Sequence, residues 1–427
     1  MLGRSLAWSV GSALVLAVAV VAGCSASNGS SFDDDGTAGA GNHSSSPSSG
    51  TGFNPTSTGS GTPAANCDAG DDEDRDKDGW TKSQGDCNDC DPNANPGAIE
   101  VISSSGPAAD EDCDGQVDNV ALCDDGLALD DPDAMHAARA LDLCKEAIDN
   151  QGGVLSAAWV RANGTPYSGP GGVQHGILDG FGPNVKPQLG GRLLVLSSGT
   201  ARVPGQPGAC AGMSCYGNAT GSAPPGFPAA VPGCDGSSDI HDDVGLELEL
   251  RAPTNANSYK FNFKFYSFEF AEWVCTAYND QFIALVAPPP MGAQNGNIVF
   301  DSKNNPVSVN IAFFDVCDPG TNNDFAAECA TTSPSCPAKP NPYCPSGPGE
   351  LVGTGFDNCF GSNLEDAGAT TWLETTAPVH GGDEFTIRFT IWDTGDENLD
   401  STVLVDAFQW LAEGGVDVGT DPLPDPK

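Results

Sequence analysis

The sequence predicts a mainly β protein: an antiparallel β-sandwich or jelly-roll-like domain, preceded by one short helix, a small acidic cysteine-rich segment and a disordered tether. Three observations predict it. Gly (54) and Pro (33) occupy 87 of 427 positions, an excess of turn formers that disfavours a helical bundle. From about residue 154 to 412, short apolar runs alternate with Gly/Pro punctuation, the pattern of a sandwich or jelly roll. Only residues 133–148 show apolar side chains at helical spacing. The charge balance narrows the function. With 17 Lys+Arg against 58 Asp+Glu the formal charge is −41, which excludes a phosphate-binding surface and a polybasic membrane patch.

Residues 1–23 read as an export signal. Arg4 gives a positive start and Ala13 to Ala22 is an unbroken apolar run, short for a membrane span. Val21-Ala22-Gly23-Cys24 follows and resembles the bacterial lipoprotein box, in which the cysteine is lipidated and becomes the first mature residue. That resemblance implies a membrane partner through a lipid on Cys24 and an extracytoplasmic location. Ser25, where an Asp would retain a Gram-negative lipoprotein in the inner membrane, fits the outer membrane or cell surface. Removing Cys24 from the 16 cysteines leaves 15. An oxidising compartment makes disulfides the default for these, with one thiol left free or paired between chains as a disulfide-linked dimer. Residues 24–66 are a tether: between 25 and 66, Ser, Gly, Thr and Pro take 27 of 42 positions, and nothing there can bury a core. Random-coil scaling gives it a reach of about 35–40 Å.

Residues 67–123 crowd acids against only Arg75, Lys77 and Lys82, with five cysteines and almost no large apolar residue besides Trp80. Such a segment needs metal and disulfides to hold a fold. Asp74, Asp76 and Asp78 precede Gly79 at alternate positions, as ligands 1, 3 and 5 precede the turn glycine of a calcium loop. Position 12 is Gly85, so a full EF-hand is excluded and the closing ligand comes from elsewhere, with Asp86 the candidate. Asp110, Asp112, Asp114 and Gly115 repeat the pattern, with Asp118 behind them. Carboxylates this close repel by about 1 kcal/mol per pair at 4 Å even in water. A hard dication reverses that sign, and oxygen ligands without histidine favour Ca2+. The plainer reading is a solvated acidic spacer that holds cations loosely.

The run from Gly85-Asp86-Cys87 through Asp91-Pro92 and Pro96-Gly97-Ala98, then Asp110-Glu111-Asp112-Cys113-Asp114-Gly115 and Asp118, resembles the MopE-type metal-binding repeat of bacterial surface proteins over residues 72–119. Glu100 stands one place later than the usual Glu, Asn88 replaces an Asp, and Cys90 replaces a polar residue. The resemblance adds Asp91 to the metal candidates. The family's name is tied to copper, but this stretch lacks His and Met, so copper is disfavoured against calcium.

Residues 124–412 form the β domain, with residues 413–427 expected to be a disordered tail. The helix at 133–148 rests on Ala134, Ala137, Ala138, Leu141 and Ile148, with Pro132 at its start and Gly152-Gly153 beyond its end. Strands are expected at Arg192–Leu196, Val244–Leu250, Tyr259–Phe265, Phe282–Ala287, Val307–Phe313, Glu384–Trp392 and Thr402–Trp410. Tyr259, Phe261, Phe263 and Phe265 alternate with Lys260, Asn262 and Lys264, which predicts a half-buried strand. Cysteine-bearing insertions interrupt the pattern at about 204–240 and 317–361.

No catalytic constellation emerges. The five histidines show no zinc spacing, and Gly212-Met213-Ser214-Cys215 lacks the last glycine of a nucleophile elbow. His241-Asp242-Asp243 reads as a polar turn. Phe268-Glu269 through Asn279-Asp280-Gln281-Phe282, with Ile391-Trp392-Asp393 through Asp400-Ser401-Thr402, resembles the choice-of-anchor L domain, with Gly199-Thr200 at its start. The resemblance would span about 142–412 and implies a β-rich domain of exported bacterial surface proteins without known enzymatic activity. Glu269, Asn279, Asp280, Asp393, Asp396 and Asp400 fall on its polar positions. They are either a second calcium site or turn caps. The resulting expectation is a lipid-anchored, calcium-stabilised surface protein that binds a polysaccharide or protein ligand and no nucleic acid. The alternatives are a polysaccharide-active hydrolase using Glu269, Glu272 or Asp393, and a copper-binding surface protein.

Overall fold

The computed structural model describes residues 69–101, 108–119, 121–169, 173–210, 212–215, 219–271, 273–310, 313–318, 344–357 and 367–423. The export signal, Cys24, the tether and Glu272 lie outside the described residues. The helix α1 is Ala134–Arg139. The strands are β1 (Gly153–Val160), β2 (His175–Leu178), β3 (Leu193–Ser197), β4 (Ile240–Arg251), β5 (Ser258–Ser267), β6 (Gln281–Ala287), β7 (Val307–Ser308), β8 (Phe314–Cys317), β9 (Gly368–Thr370), β10 (Leu373–Pro378), β11 (Glu384–Thr394), β12 (Ser401–Leu411) and β13 (Gly419–Pro422). No helix among the described residues is long and apolar enough to cross a membrane.

The strands make two antiparallel sheets. One runs β1-β4-β11-β6-β7. The other runs β13-β10-β5-β12-β3-β2, with β9 pairing both β5 and β8 beside it. They face each other across a shared apolar layer, as the alternation along β5 requires. Phe261 on β5 meets Phe389 on β11 edge-to-face at 5.0 Å, Phe263 meets Phe282 on β6 at 5.3 Å, and Tyr259 stacks on Phe385 at 5.3 Å. Leu246 and Leu248 on β4 and Val403 and Val405 on β12 fill the same layer.

The structure corrects several expectations. β5 is buried on both faces, not one. Lys264 is fully buried, and its ammonium donates to the Thr370 carbonyl and the Glu350 carboxylate. The cover over this second face comes from far along the chain: Leu351 and Phe356 pack with Phe181, Tyr266 and Leu404. The expected helix at 133–148 stops at Arg139. Asp133 caps its start, accepting from the Met135 amide at 2.9 Å. Asp142 then takes φ +67, Cys144 is tied to Cys123, and Lys145 and Ala147 pair with Val154, so Ile148 is left 61% exposed. Of the expected strand Val307–Phe313 only Val307–Ser308 forms a strand, β7; β8 begins beyond it at Phe314 in the other sheet, and the Asn310 side chain between them caps the Cys275 amide. The expected tail supplies β13, which pairs with β10 from Thr376↔Gly419 to Leu373↔Pro422. His241, Asp242 and Asp243 lie on β4 rather than in a turn, and Asp243 accepts from Arg161 and the Ala162 amide, both at 2.6 Å.

The sheet edges are short or covered. β7 has two residues, and β13 ends on Asp421 and Pro422. The outer side of β1 is occupied at one end by Lys145 and Ala147 and at the other by Thr165 and Tyr167; β2 accepts a cover at Ile177, whose amide donates to Leu129.

Disulfides join Cys87–Cys113, Cys123–Cys144, Cys210–Cys215, Cys234–Cys275 and Cys317–Cys344, and Cys90 is also disulfide-bonded. The odd thiol expected from the count falls among cysteines outside the described residues.

Asp142 carries a testable cost. Both its carboxylate oxygens are buried beside the buried Asp124, and neither has a well-formed hydrogen bond, the Ala407 amide being the nearby donor. Burial, then the Asp124 charge, pushes it up to about 7. A carboxyl raised above its unfolded value favours the folded state at low pH, and that stability fades as pH rises from about 4 through about 7. Asp142→Asn removes the charge and suits the left-handed backbone. It should stabilise the protein by about 1 kcal/mol at pH 8 and by almost nothing at pH 4, read by urea denaturation at both.

Candidate metal centres

The acidic segment folds as two loops of one design. In the first, left-handed Lys77 (φ +69) and Gly79 (φ +97) curl the backbone round its own carboxylates. Asp74 accepts from the amides of Lys77 at 2.7 Å and Gly79 at 3.2 Å. In the second, Cys113 and Gly115 are left-handed, and Asp110 accepts from Asp114 and Gly115, both at 3.0 Å. The Cys87–Cys113 bond ties the loops together. The segment docks on the sandwich through Asn95 and Gly97. Thr254 donates its hydroxyl to Asn95 at 2.8 Å and its amide to the Gly97 carbonyl at 3.0 Å, and Lys145 reaches the Pro96 carbonyl at 3.0 Å. Asn255 holds both the amide and the carbonyl of Ile99.

Four further carboxylates of the first loop each use one oxygen to cap an amide. Asp76 accepts from Asp78 (3.2 Å), Asp78 from Trp80 (2.8 Å), Asp86 from Asn88 (2.7 Å) and Asp89 from Arg75 (2.9 Å). The second oxygen of all four is buried without a donor. The carboxylates also approach one another: Asp74, Asp76 and Asp89 bring one oxygen each within 4.8 Å, and so do Asp76, Asp78 and Asp86. Asp76 belongs to both triads. A third triad joins Glu100, Asp110 and Asp112. Burial raises Asp76, Asp78, Glu111 and Asp112, with Asp86 pushed up to about 6 and Glu100 to about 7. Oxygens at these separations suit a hard dication at about 2.3–2.6 Å.

Six of the residues singled out in the sequence therefore enter triads: Asp74, Asp76, Asp78, Asp86, Asp110 and Asp112. Asp91 instead caps a turn through the Asn93 amide at 3.1 Å. Asp114 is held by Gln116 and Asn119, and the Asp118 amide donates to Glu100. Asp89 and Glu100 also enter these triads and were not singled out in the sequence. Their signals were an Asp three places after Asp86 and a Glu shifted by one residue.

The β-domain residues also meet, at one end of the sandwich. Glu269 follows β5, Asp280 leads into β6, Asp393 closes β11 at a register shift, and Asp400 precedes β12. The Asp280 carboxylate accepts from the Thr394 amide (2.9 Å) and the Ser401 hydroxyl (2.6 Å), while its amide donates to Glu269 (3.3 Å). Burial, then mutual repulsion, holds Glu269, Asp393 and Asp400 well above the usual carboxylate range and Asp280 at about 7. Asp396 is half-buried and caps the Asn398 amide at 3.0 Å. Of these residues only Asp400 lines the neighbouring cavity of about 340 Å³, with Arg202, Phe268 and Cys215.

Gly199 explains how Asp400 fits. A Cβ there would lie 1.7 Å from the Asp400 carboxylate, which accepts from the Cys215 amide at 2.9 Å. Gly199→Ala should therefore displace Asp400 and destabilise the fold by about 2 kcal/mol, measured by thermal melting.

Comparison with protein families finds that the model described as the choice-of-anchor L domain matches residues 192–409, just over half of the chain. No curated protein and no solved structure matches.

Proposed function

The chain belongs to the choice-of-anchor L domain family, and from that premise we propose a cell-surface protein of non-enzymatic type, anchored by a lipid on Cys24 and held in shape by calcium. The sandwich recognises a surface ligand, a polysaccharide or a protein. Residues 69–119 are a calcium-held clip on its end, of the MopE-repeat kind. The reading is carried by the four buried, donorless oxygens of Asp76, Asp78, Asp86 and Asp89. A hydrogen-bond donor is absent where a cation of oxygen preference would sit. Copper is the weaker occupant, since Cys87, Cys90 and Cys113 are in disulfides and no His or Met lies in the segment. Of the acids a hydrolase would use, Glu269 and Asp393 are sealed from solvent, which disfavours that reading among the described residues; Glu272 lies outside them.

Equilibrium dialysis of the full chain against calcium tests the clip. Asp76→Asn should lose two bound ions, since Asp76 joins two triads, and excess copper should displace neither from the parent. An unchanged ion count in that variant sinks the reading. Incorporation of labelled palmitate, expected in the parent and lost in Cys24→Ala, tests the anchor.

A further inference from the structure

We propose that the cleft between the acidic segment and the sandwich binds a neutral sugar unit of a polysaccharide. This deepens the reading of a surface-ligand protein and rests on it. The cleft has a volume of about 430 Å³, within the range of small-molecule sites. One wall belongs to the acidic segment, with Ile99, Glu100, Asp112 and Asn119. The other is the end of β12 and the chain just beyond it, from Phe408 to Glu413, with Lys260 of β5 beside them. Asp142 and Lys145 line it between the two. Hydrogen bonds and ring contacts hold both walls in place, so a ligand need not order them. Asn255 grips the amide and the carbonyl of Ile99, and Lys145 reaches the Pro96 carbonyl at 3.0 Å. Trp410 is half-buried and braced edge-to-face by Phe408 at 5.1 Å, Tyr259 at 6.0 Å and Phe385 at 6.1 Å.

The lining selects the ligand by elimination. An anion entering the cleft meets the carboxylates of Glu100, Asp112, Asp142 and Glu413. An organic cation meets Lys145 and Lys260, the second already paired with Glu374 at 2.9 Å. A wholly apolar ligand would strip water from charged groups of both signs and return no hydrogen bond. A neutral ligand rich in hydroxyls satisfies both signs, because each hydroxyl donates to a carboxylate and accepts from an ammonium or amide. Gln409 and Asn119 add amide donors and acceptors on opposite walls. The same ligand needs an apolar surface to rest on Trp410 and Leu411, which line the sandwich side. A sugar ring has both parts, a face of C–H groups and a rim of hydroxyls, and so matches an indole wall opposite a polar one.

Isothermal titration of the full chain tests this with neutral hexasaccharides of glucose, mannose, galactose and xylose as probes. Hexagalacturonate and a glucosamine hexamer serve as the anionic and cationic controls. Every titration is run in calcium, so that a disordered clip is not mistaken for an empty cleft. At least one neutral probe should bind more tightly than either control. Trp410→Ala should weaken that binding about tenfold through loss of the aromatic wall. Gln409→Ala leaves the ring contacts intact and should weaken it about threefold, which decides the matter if Trp410→Ala does not fold. Tighter binding of a charged control, or no heat with any neutral probe, overturns the sugar assignment and leaves a protein as the ligand of the sandwich. A neutral probe that binds both variants as it binds the parent overturns the cleft as its site, while the surface-ligand reading stands.

Discussion

Chelating divalent cations should expose residues 69–119 to trypsin at Arg75, Lys77 and Lys82, with cleavage accelerated at least tenfold while the circular dichroism of the sandwich persists. Beyond its disulfides and its hydrogen bonds to the sandwich, the segment has little to hold it. Its buried apolar side chains are Ala69, Trp80, Ala94 and Ala98, too few to form a core. The Arg75 amide is held by Asp89, and Lys82 donates to the Ala69 carbonyl, so the cleavage sites sit inside the clip. Each ion present at a hundred times its dissociation constant contributes about 2.7 kcal/mol. Without ions the repulsion among Asp74, Asp76, Asp78, Asp86 and Asp89 is uncompensated. The pH response of the chelated protein has a definite sign. Asp86 at about 6 and Glu100 at about 7 are raised by burial, so the ion-free clip should regain order as pH falls through 7 toward 4. An unchanged trypsin rate in chelator would reduce the segment to a charged spacer.

Phe261→Ala should cost about 3–5 kcal/mol, and lower the melting temperature by roughly 10 °C. Phe261 is fully buried on β5 and is bracketed by Phe263, by Phe389 of the facing sheet and by Phe408 on β12. Its removal leaves a void between two sheets whose backbone pairing resists collapse. Phe261→Leu should recover most of the loss. A cost below 1 kcal/mol for the alanine variant would mean that the sheets are held elsewhere.

The sandwich was readable because period-2 alternation along β5 reports directly on a shared apolar layer. What alternation cannot report is a cover from a distant segment. Lys264 looks like a solvent position in sequence, yet Leu351 and Phe356 lie over that face. The helix was over-extended because Ile148 kept the spacing. The competing demands, a left-handed Asp142 and the Cys123–Cys144 link, act through geometry that spacing does not encode. In the acidic loops, the alternate aspartates gave the loop centre. The outer members of the triads, Asp89 and Glu100, arrive by chain return, which no local pattern fixes. Glu269, Asp280, Asp393 and Asp400 were grouped through a family resemblance, and their meeting at one end of the sandwich follows from β6, β11 and β12 beginning or ending there.

The guarded rims of the two sheets bear on how densely such molecules can crowd. Among the described residues, outermost ribbons clipped at their ends by their own chain, cut to two residues or ended by proline offer neighbours little open ladder to extend. Copies packed side by side would therefore stay separate instead of zipping into fibrils, and a partner must be gripped by loops or faces, not recruited as an added strand.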